Sequence, residues 1–321
     1  MDFYGTLGPA CCRADILADM ARCGMTGVRL NLSHRRLSQA ETELEALDQA
    51  RTLSGVPLRL LIDMQGPELR IGTLAEPMAL EQGTAVQLAA LALPQALREL
   101  LAPGQELLLD DGKLLVEVLD RDRAQVIRGG LLQSRKSVAA PGLSLRLPPM
   151  TADDREGIAL AAAAGVTGLM QPFVRGREDL EAVRAALDAA GAASVRLMAK
   201  LESLDGLERL PELLAASDEL VIARGDLGNA MPLWQLPGVQ KRVARCCREA
   251  GRNFMVVTQM LASMEQRAVP TRAEVCDIFN AVLDGASSLM LTGETAVGRF
   301  PVQAMDYLVR TAREALAYQA G

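Results

Sequence analysis

The 321-residue sequence contains a single histidine, His34, and neither a GxSxG nor an HExxH motif. Hydrolase chemistry of the Ser-His-Asp or Cys-His kind could be built only around that one residue and is set aside. The six cysteines, among them the adjacent pairs Cys11-Cys12 and Cys246-Cys247, show no CxxC and no Cys/His ligand spacing. In a chain this long they read as small buried apolar residues, not as a disulfide framework. No apolar run reaches the roughly 18 to 20 residues of a membrane span, and no basic region followed by an apolar stretch opens the sequence. Lys and Arg number 34 against 40 Asp and Glu, a formal charge of −6, and no Lys/Arg block interrupts that balance. Nucleic acid is therefore not an expected partner, nor is a membrane. The expectation is a soluble, cytoplasmic protein, 50% hydrophobic, with enough apolar residues for one large domain or two.

What is present is a periodic pattern. Short β-branched or leucine-rich runs at 3–7, 27–32, 58–64, 168–173, 195–201, 219–223, 253–259 and 287–292 alternate with amphipathic stretches at 13–23, 39–53, 154–164, 178–190, 207–216, 237–250, 271–283 and 301–317. Eight strands, each followed by a helix, predict an α/β fold of the (β/α)8 TIM-barrel type; a doubly wound sheet more often stops at five to seven. One connection breaks the rhythm. About 90 residues separate the third strand from its helix, and 73–145 is rich in Gly, Pro and short alternating runs at 85–88, 106–109, 114–118 and 125–128. This segment reads as a small β-barrel-like lid domain inserted after strand 3, which leaves 1–72 and 146–321 for the barrel. Active sites of such barrels lie at the C-terminal ends of the strands, so an insertion there sits on the active-site face.

Polar residues do gather at those ends. Arg29, Asn31 and Ser33 close strand two, Asp63 and Glu68 follow strand three, and Arg175 follows strand four. Lys200 and Glu202 close strand five, Arg224 and Asp226 strand six, Thr258 and Gln259 strand seven, and Thr292 and Glu294 strand eight. On the apolar strand Leu197-Met198-Ala199-Lys200-Leu201-Glu202, period-two alternation sends Lys200 and Glu202 to one face, inward at the barrel mouth. Glu202 with Asp226 supplies two hard oxygen ligands of the kind that hold Mg2+. The plain alternative is a Lys-Glu ion pair at the barrel top. The Arg224-Gly225-Asp226 turn offers backbone N-H groups for a carboxylate or phosphate.

At this point the sequence resembles a known family. Thr6-Leu7-Gly8-Pro9-Ala10, Arg29-Leu30-Asn31-Leu32-Ser33-His34, Gly66-Pro67-Glu68-Leu69-Arg70, Leu109-Asp110-Asp111-Gly112, Ala199-Lys200-Leu201-Glu202, Ala223-Arg224-Gly225-Asp226-Leu227-Gly228, Thr258-Gln259-Met260-Leu261, Pro270-Thr271-Arg272-Ala273-Glu274-Val275 and Gly293-Glu294-Thr295-Ala296 together resemble pyruvate kinase, in that family's order, up to about Tyr307. The resemblance implies transfer of a phosphoryl group from phosphoenolpyruvate to ADP. It implies Lys200, Arg29, Thr258 and Thr292 as catalytic residues, with Gly225 and Asp226 joining Thr258 and Arg29 around the substrate. Asn31, His34 and Lys136 are implied on the nucleotide side. Glu202 and Asp226 would bind Mg2+ or Mn2+. Asn31, Ser33, Asp63 and the Met64 carbonyl would hold K+, and Glu68 is the residue type that accompanies potassium dependence.

The sequence also departs from that family's pattern. Gln65 stands where Lys is usual, Pro172 where Ser is usual, Asn229-Ala230 for Val-Glu and Thr292 for Ser, while Ser137 and Ala139 in the lid replace Gly and Asn. The changes at Gln65 and in the lid touch the nucleotide side, whereas Thr292 keeps a hydroxyl for a proton relay. The chain ends after the eighth helix, so the resemblance implies a short form lacking the C-terminal effector domain. The expected partners are phosphoenolpyruvate and ADP, with a homo-oligomer left open. The same metal and enolate residues also suit a related metal-dependent enolpyruvate enzyme with another acceptor or with C-C lyase activity.

Overall fold

A computed structural model describes residues 1–110, 112–143 and 147–321. Asp111 of the Leu109–Gly112 motif and the expected domain boundary at 145/146 lie outside the described residues. The chain opens with three strands, β1 (Asp2–Thr6), β2 (Gly27–Asn31) and β3 (Arg59–Asp63). Seven short ones follow: β4 (Met78–Leu80), β5 (Ala85–Gln87), β6 (Glu106–Leu109), β7 (Leu114–Val118), β8 (Arg123–Arg128), β9 (Gly130–Leu132) and β10 (Val138–Ala139). The last five are β11 (Gly168–Gln171), β12 (Arg196–Leu201), β13 (Glu219–Ala223), β14 (Asn253–Val257) and β15 (Ser288–Leu291). The first three and last five close into one parallel barrel of order β1-β15-β14-β13-β12-β11-β3-β2, the (β/α)8 arrangement that the sequence period predicts.

The chain folds as two units: residues 1–66, 149–224 and 237–321 make one, and residues 67–148 with 225–236 the other. In the first, the barrel strands are buried on both faces, as in β13, where every residue is buried. The interior is filled by Tyr4 and by Met170, Met198, Met255 and Met290, flexible side chains that take up the irregular space. Gly27 makes room for this packing, since a Cβ there would lie 2.7 Å from the Tyr4 ring. At the N-terminal ends of the strands, the Tyr4 hydroxyl accepts from Arg59 and Arg196, each at 3.2 Å. Arg196 pairs with Glu219 at 3.2 Å, and Ser288 donates to Glu219 at 2.6 Å. Burial pushes the Glu219 carboxyl above its ordinary value, against the hydrogen bond from Ser288 and the Arg196 charge.

In the second unit, β10-β6-β7-β8-β5 form an antiparallel sheet and β4-β9 a two-stranded ribbon. They pack over a leucine-rich core including Leu91, Leu97, Leu107 and Leu109. The expected strands at 106–109 and 114–118 coincide with β6 and β7, while β8 starts two residues before the expected 125.

Two helices differ from the sequence expectation, each for a local reason. The expected 154–164 is Ala152–Leu160, because Thr151 is its N-cap and closes a capping box with Asp154. The expected 207–216 is two pieces, Leu204–Glu208 and Leu210–Ala216, with Pro211 in the first turn of the second, where the missing N-H costs least.

Candidate active site

In the barrel unit, three adjacent strands bring charged groups to their C-terminal ends. β2 and β3 pair in register with Asn31 opposite Asp63, and Arg29 lies two residues earlier on the same face as Asn31. Arg29 donates to Asp63 Oδ2 from Nε at 2.8 Å and from Nη2 at 2.5 Å, and its Nη1 reaches the Thr6 hydroxyl at 3.3 Å. From β12, Lys200 Nζ lies 3.2 Å from the same Asp63 oxygen and 2.8 Å from Glu202 Oε1. The ion pair between Lys200 and Glu202 therefore forms, as one link in a chain of four charges.

These groups are almost sealed from water. Asp63 and Glu202 are 1% and 3% exposed, so ionised carboxylates there require close partners. Asp63 Oδ1 is nevertheless buried with no hydrogen bond formed among the described residues, whereas Glu202 Oε1 has the Lys200 ammonium as its partner. Glu202 Oε2 accepts from the backbone N-H of Phe173 at 2.8 Å. Phe173 adopts a φ of 50°, a conformation uncommon for a side-chain-bearing residue, and sequence reasoning missed this contact because a backbone N-H leaves no signature in residue type.

The ends of β14 and β15 are built by side chains holding backbone. Thr258 has φ 80° and Gln259 φ 55°, a strained pair for which a β-branched residue is ill suited. The Arg224 guanidinium secures that turn, donating to the Thr258 carbonyl at 2.8 and 3.2 Å and to Asp277 at 2.8 Å. The buried Glu294 carboxylate accepts from the Leu261 N-H at 3.0 Å, the Thr292 N-H at 2.7 Å and the Thr292 hydroxyl at 3.2 Å. Thr292 is thus turned toward a carboxylate, an arrangement suited to passing a proton. The sequence marks Glu294 as a rim residue without indicating this role.

At the residues expected to hold K+, Ser33 N-H donates to Asn31 Oδ1 at 3.1 Å and Met64 is buried, while the neighbouring His34 is exposed. Gln65 and Gly66 follow, and a Cβ at Gly66, whose φ is 59°, would lie 2.5 Å from the Pro172 ring. In the second unit, Lys136 lies 2.8 Å from Asp110 Oδ1 and Lys113 3.3 Å from Oδ2. Burial opposes ionisation of Asp110, but these two lysines outweigh it and hold the carboxyl below its ordinary value. That unit also contains Gly225 and Asp226, in the short helix Arg224–Asn229, where the Asp226 carbonyl accepts from Ala230 at 3.1 Å. A Cβ at Gly112 would lie 2.6 Å from the Asn229 side chain.

A family model described as pyruvate kinase, barrel domain, matches residues 2–305. The chain belongs to the pyruvate kinase family. Among its relatives, the pyruvate kinase of Aeropyrum pernix is 37% identical over 319 residues, 97% of this chain and 69% of that protein. That of Methylorubrum extorquens is 37% identical over 325 residues, covering 96% and 67%. That of Mycobacterium tuberculosis is 35% identical over 320 residues, covering 95% and 68%. Pyruvate kinase membership accounts for an inserted β segment between β3 and β11 and for charged residues at the ends of the barrel strands. Among the described residues no helix is long and apolar enough to cross a membrane.

Proposed function

We propose that this member of the family is a working pyruvate kinase, transferring the phosphoryl group of phosphoenolpyruvate to ADP to give pyruvate and ATP in the cytoplasm. The observation that carries the reading is the shared oxygen of Asp63. Arg29 and Lys200 both converge on Asp63 Oδ2 while its other oxygen stays buried and bare. Two largely buried cations are thereby held side by side on one oxygen, which suits a transferring phosphoryl group, since its catalysis is mainly positioning and charge neutralisation.

The roles are those that the family resemblance implies. Arg29 binds the phosphoryl oxygens. Lys200 neutralises charge that builds on the phosphoryl group and on the enolate oxygen as the P-O bond breaks. Thr258, with the Gly225 and Asp226 amides, orients the substrate carboxylate. Thr292, turned toward Glu294, delivers a proton toward C3 of the enolate. His34, Asn31 and Lys136 serve the nucleotide, and release of Lys136 from Asp110 would free its ammonium for phosphate.

The residues also fit the cations that the family implies. A divalent ion such as Mg2+ or Mn2+ would be held by Glu202 and Asp226 and would supply charge neutralisation for an anionic substrate. Glu202 Oε1 faces the mobile end of Lys200, and two carboxylates are the usual protein share of such a site. K+ would be held by Asn31, Ser33, Asp63 and the Met64 carbonyl, neutral or singly charged oxygens that include the bare Asp63 Oδ1.

The reading is tested by 31P NMR of phosphoenolpyruvate and ADP with the protein, Mg2+ and K+. The phosphoenolpyruvate resonance should decay as ATP resonances grow in equal amount. Release of inorganic phosphate alone, or no change, would reject the phosphotransferase assignment.

A further inference from the structure

The connection that leaves the barrel after β3 is governed by a carboxylate with no assigned role. Asp154 is 1% exposed. Its Oδ1 accepts from the Gln65 N-H at 2.8 Å, and its Oδ2 accepts from the Gly66 N-H at 3.0 Å and from the Thr151 N-H and hydroxyl at 2.8 Å each. One carboxylate therefore ties the outgoing chain, at Gln65-Gly66, to the returning chain, at Thr151. A helix cap needs only the second half of that set.

The first half bears on Met64. The preceding peptide is fixed by the sheet: the Asp63 carbonyl accepts from Leu32 at 2.9 Å and the Met64 N-H donates to Met170 at 3.1 Å. The next parallel rung would bring the N-H of residue 172 to the Met64 carbonyl, but residue 172 is proline and has no N-H. Among the described residues no donor reaches that carbonyl. The peptide joining Met64 to Gln65 is planar and trans, so its C=O points opposite to its N-H. By fixing the Gln65 N-H, Asp154 fixes where the Met64 carbonyl points.

We propose that Asp154 is a positioning residue for the monovalent cation, aiming the unpaired Met64 carbonyl at the site it shares with Asp63. This rests on the potassium reading given above. Loss of the carboxylate frees the peptide to rotate, and the cation loses one aligned oxygen while substrate contacts remain.

The test measures K+ activation of turnover and, independently, Tl+ binding by titration calorimetry, in the wild type, Asp154→Asn, Asp154→Glu and Thr151→Ala. Asp154→Asn places an amide N-H donor against backbone donors and should weaken both K+ activation and Tl+ affinity at least tenfold, with kcat recovered at high K+. Asp154→Glu, which keeps the charge but displaces it, should weaken both about threefold and decides the matter if the Asn variant does not fold. Thr151→Ala removes the cap without touching Gln65, so it should lower Tm yet leave Tl+ affinity unchanged. Unchanged Tl+ affinity in folded Asp154 variants, or equal weakening in Thr151→Ala, overturns the positioning role alone. A wild type that neither binds Tl+ nor responds to K+ overturns the potassium reading and this proposal with it.

Discussion

Glu202 gives one oxygen to the Phe173 amide and offers the other to Lys200, so its charge is oriented before any ligand arrives. Glu202→Gln should weaken Mn2+ binding, followed by electron paramagnetic resonance, by tenfold or more, whereas Asp205→Asn on the following turn should leave it unaltered. Equal Mn2+ affinity in Glu202→Gln and wild type would reduce Glu202 to a structural ion-pair partner. Lys200 and Glu202 were legible in the sequence because charges two residues apart on an apolar strand must share a face. Their partners were less so. Asp63 was legible only as a polar residue at the end of strand three, without its two cationic partners, and Asp154 and the Phe173 amide had no signal beyond the Thr-x-x-Asp spacing of a capping box. Arg224 was expected among the rim residues, but its guanidinium turns to the Thr258 carbonyl and Asp277, a choice set by the strained Thr258 backbone and not by its neighbours in sequence.

At the scale of elements, the strands were the most legible feature, since parallel barrel strands are apolar throughout and stand out against amphipathic helices. β13 matches its expected span, 219–223, and the other seven barrel strands end within two residues of theirs. Helix ends were harder, because a cap or an early proline shifts them by a single local interaction, as at Thr151 and Pro211. The polar ring at the N-terminal ends of β1, β12, β13 and β15 was not anticipated, being assembled from residues far apart in sequence. It yields a pH prediction. Burial raises the Glu219 pKa above the ordinary 4.5, so the fold favours the protonated carboxyl. The stability this confers is complete below pH 4.5 and is lost as pH rises through the raised value. Glu219→Gln does not titrate. Its Tm relative to wild type should therefore climb between pH 4 and pH 8; a constant or falling difference would mean that the Arg196 pair outweighs burial.

For the whole molecule, the closed eight-stranded order and the inserted β segment both followed from counting alternations along the chain, while the convergence of Arg29, Asp63, Lys200 and Glu202 required the folded barrel. On the proposed function, the departures at Gln65 and in the inserted segment fall on the nucleotide side, so enolate chemistry should be separable from ADP use. Pyruvate C3 protons should exchange with D2O in the presence of Mg2+ and K+ even where ADP turnover is slow, and a 1H NMR time course would reveal it; normal turnover without exchange would place the weakness on the other half of the site. Gln65→Lys should lower the KM for ADP by roughly tenfold, the value of one charged contact to phosphate, and an unchanged KM would remove Gln65 from the nucleotide side. Whether the Lys200 cluster performs phosphoryl transfer to ADP is decided by lactate dehydrogenase-coupled pyruvate formation in wild type and Lys200→Met. With Lys200 in its proposed role of neutralising charge that develops only in the transition state, kcat should fall by roughly two decades or more without loss of Mn2+ affinity. Equal turnover in the two proteins, or a wild type that makes no pyruvate from phosphoenolpyruvate and ADP, would contradict it.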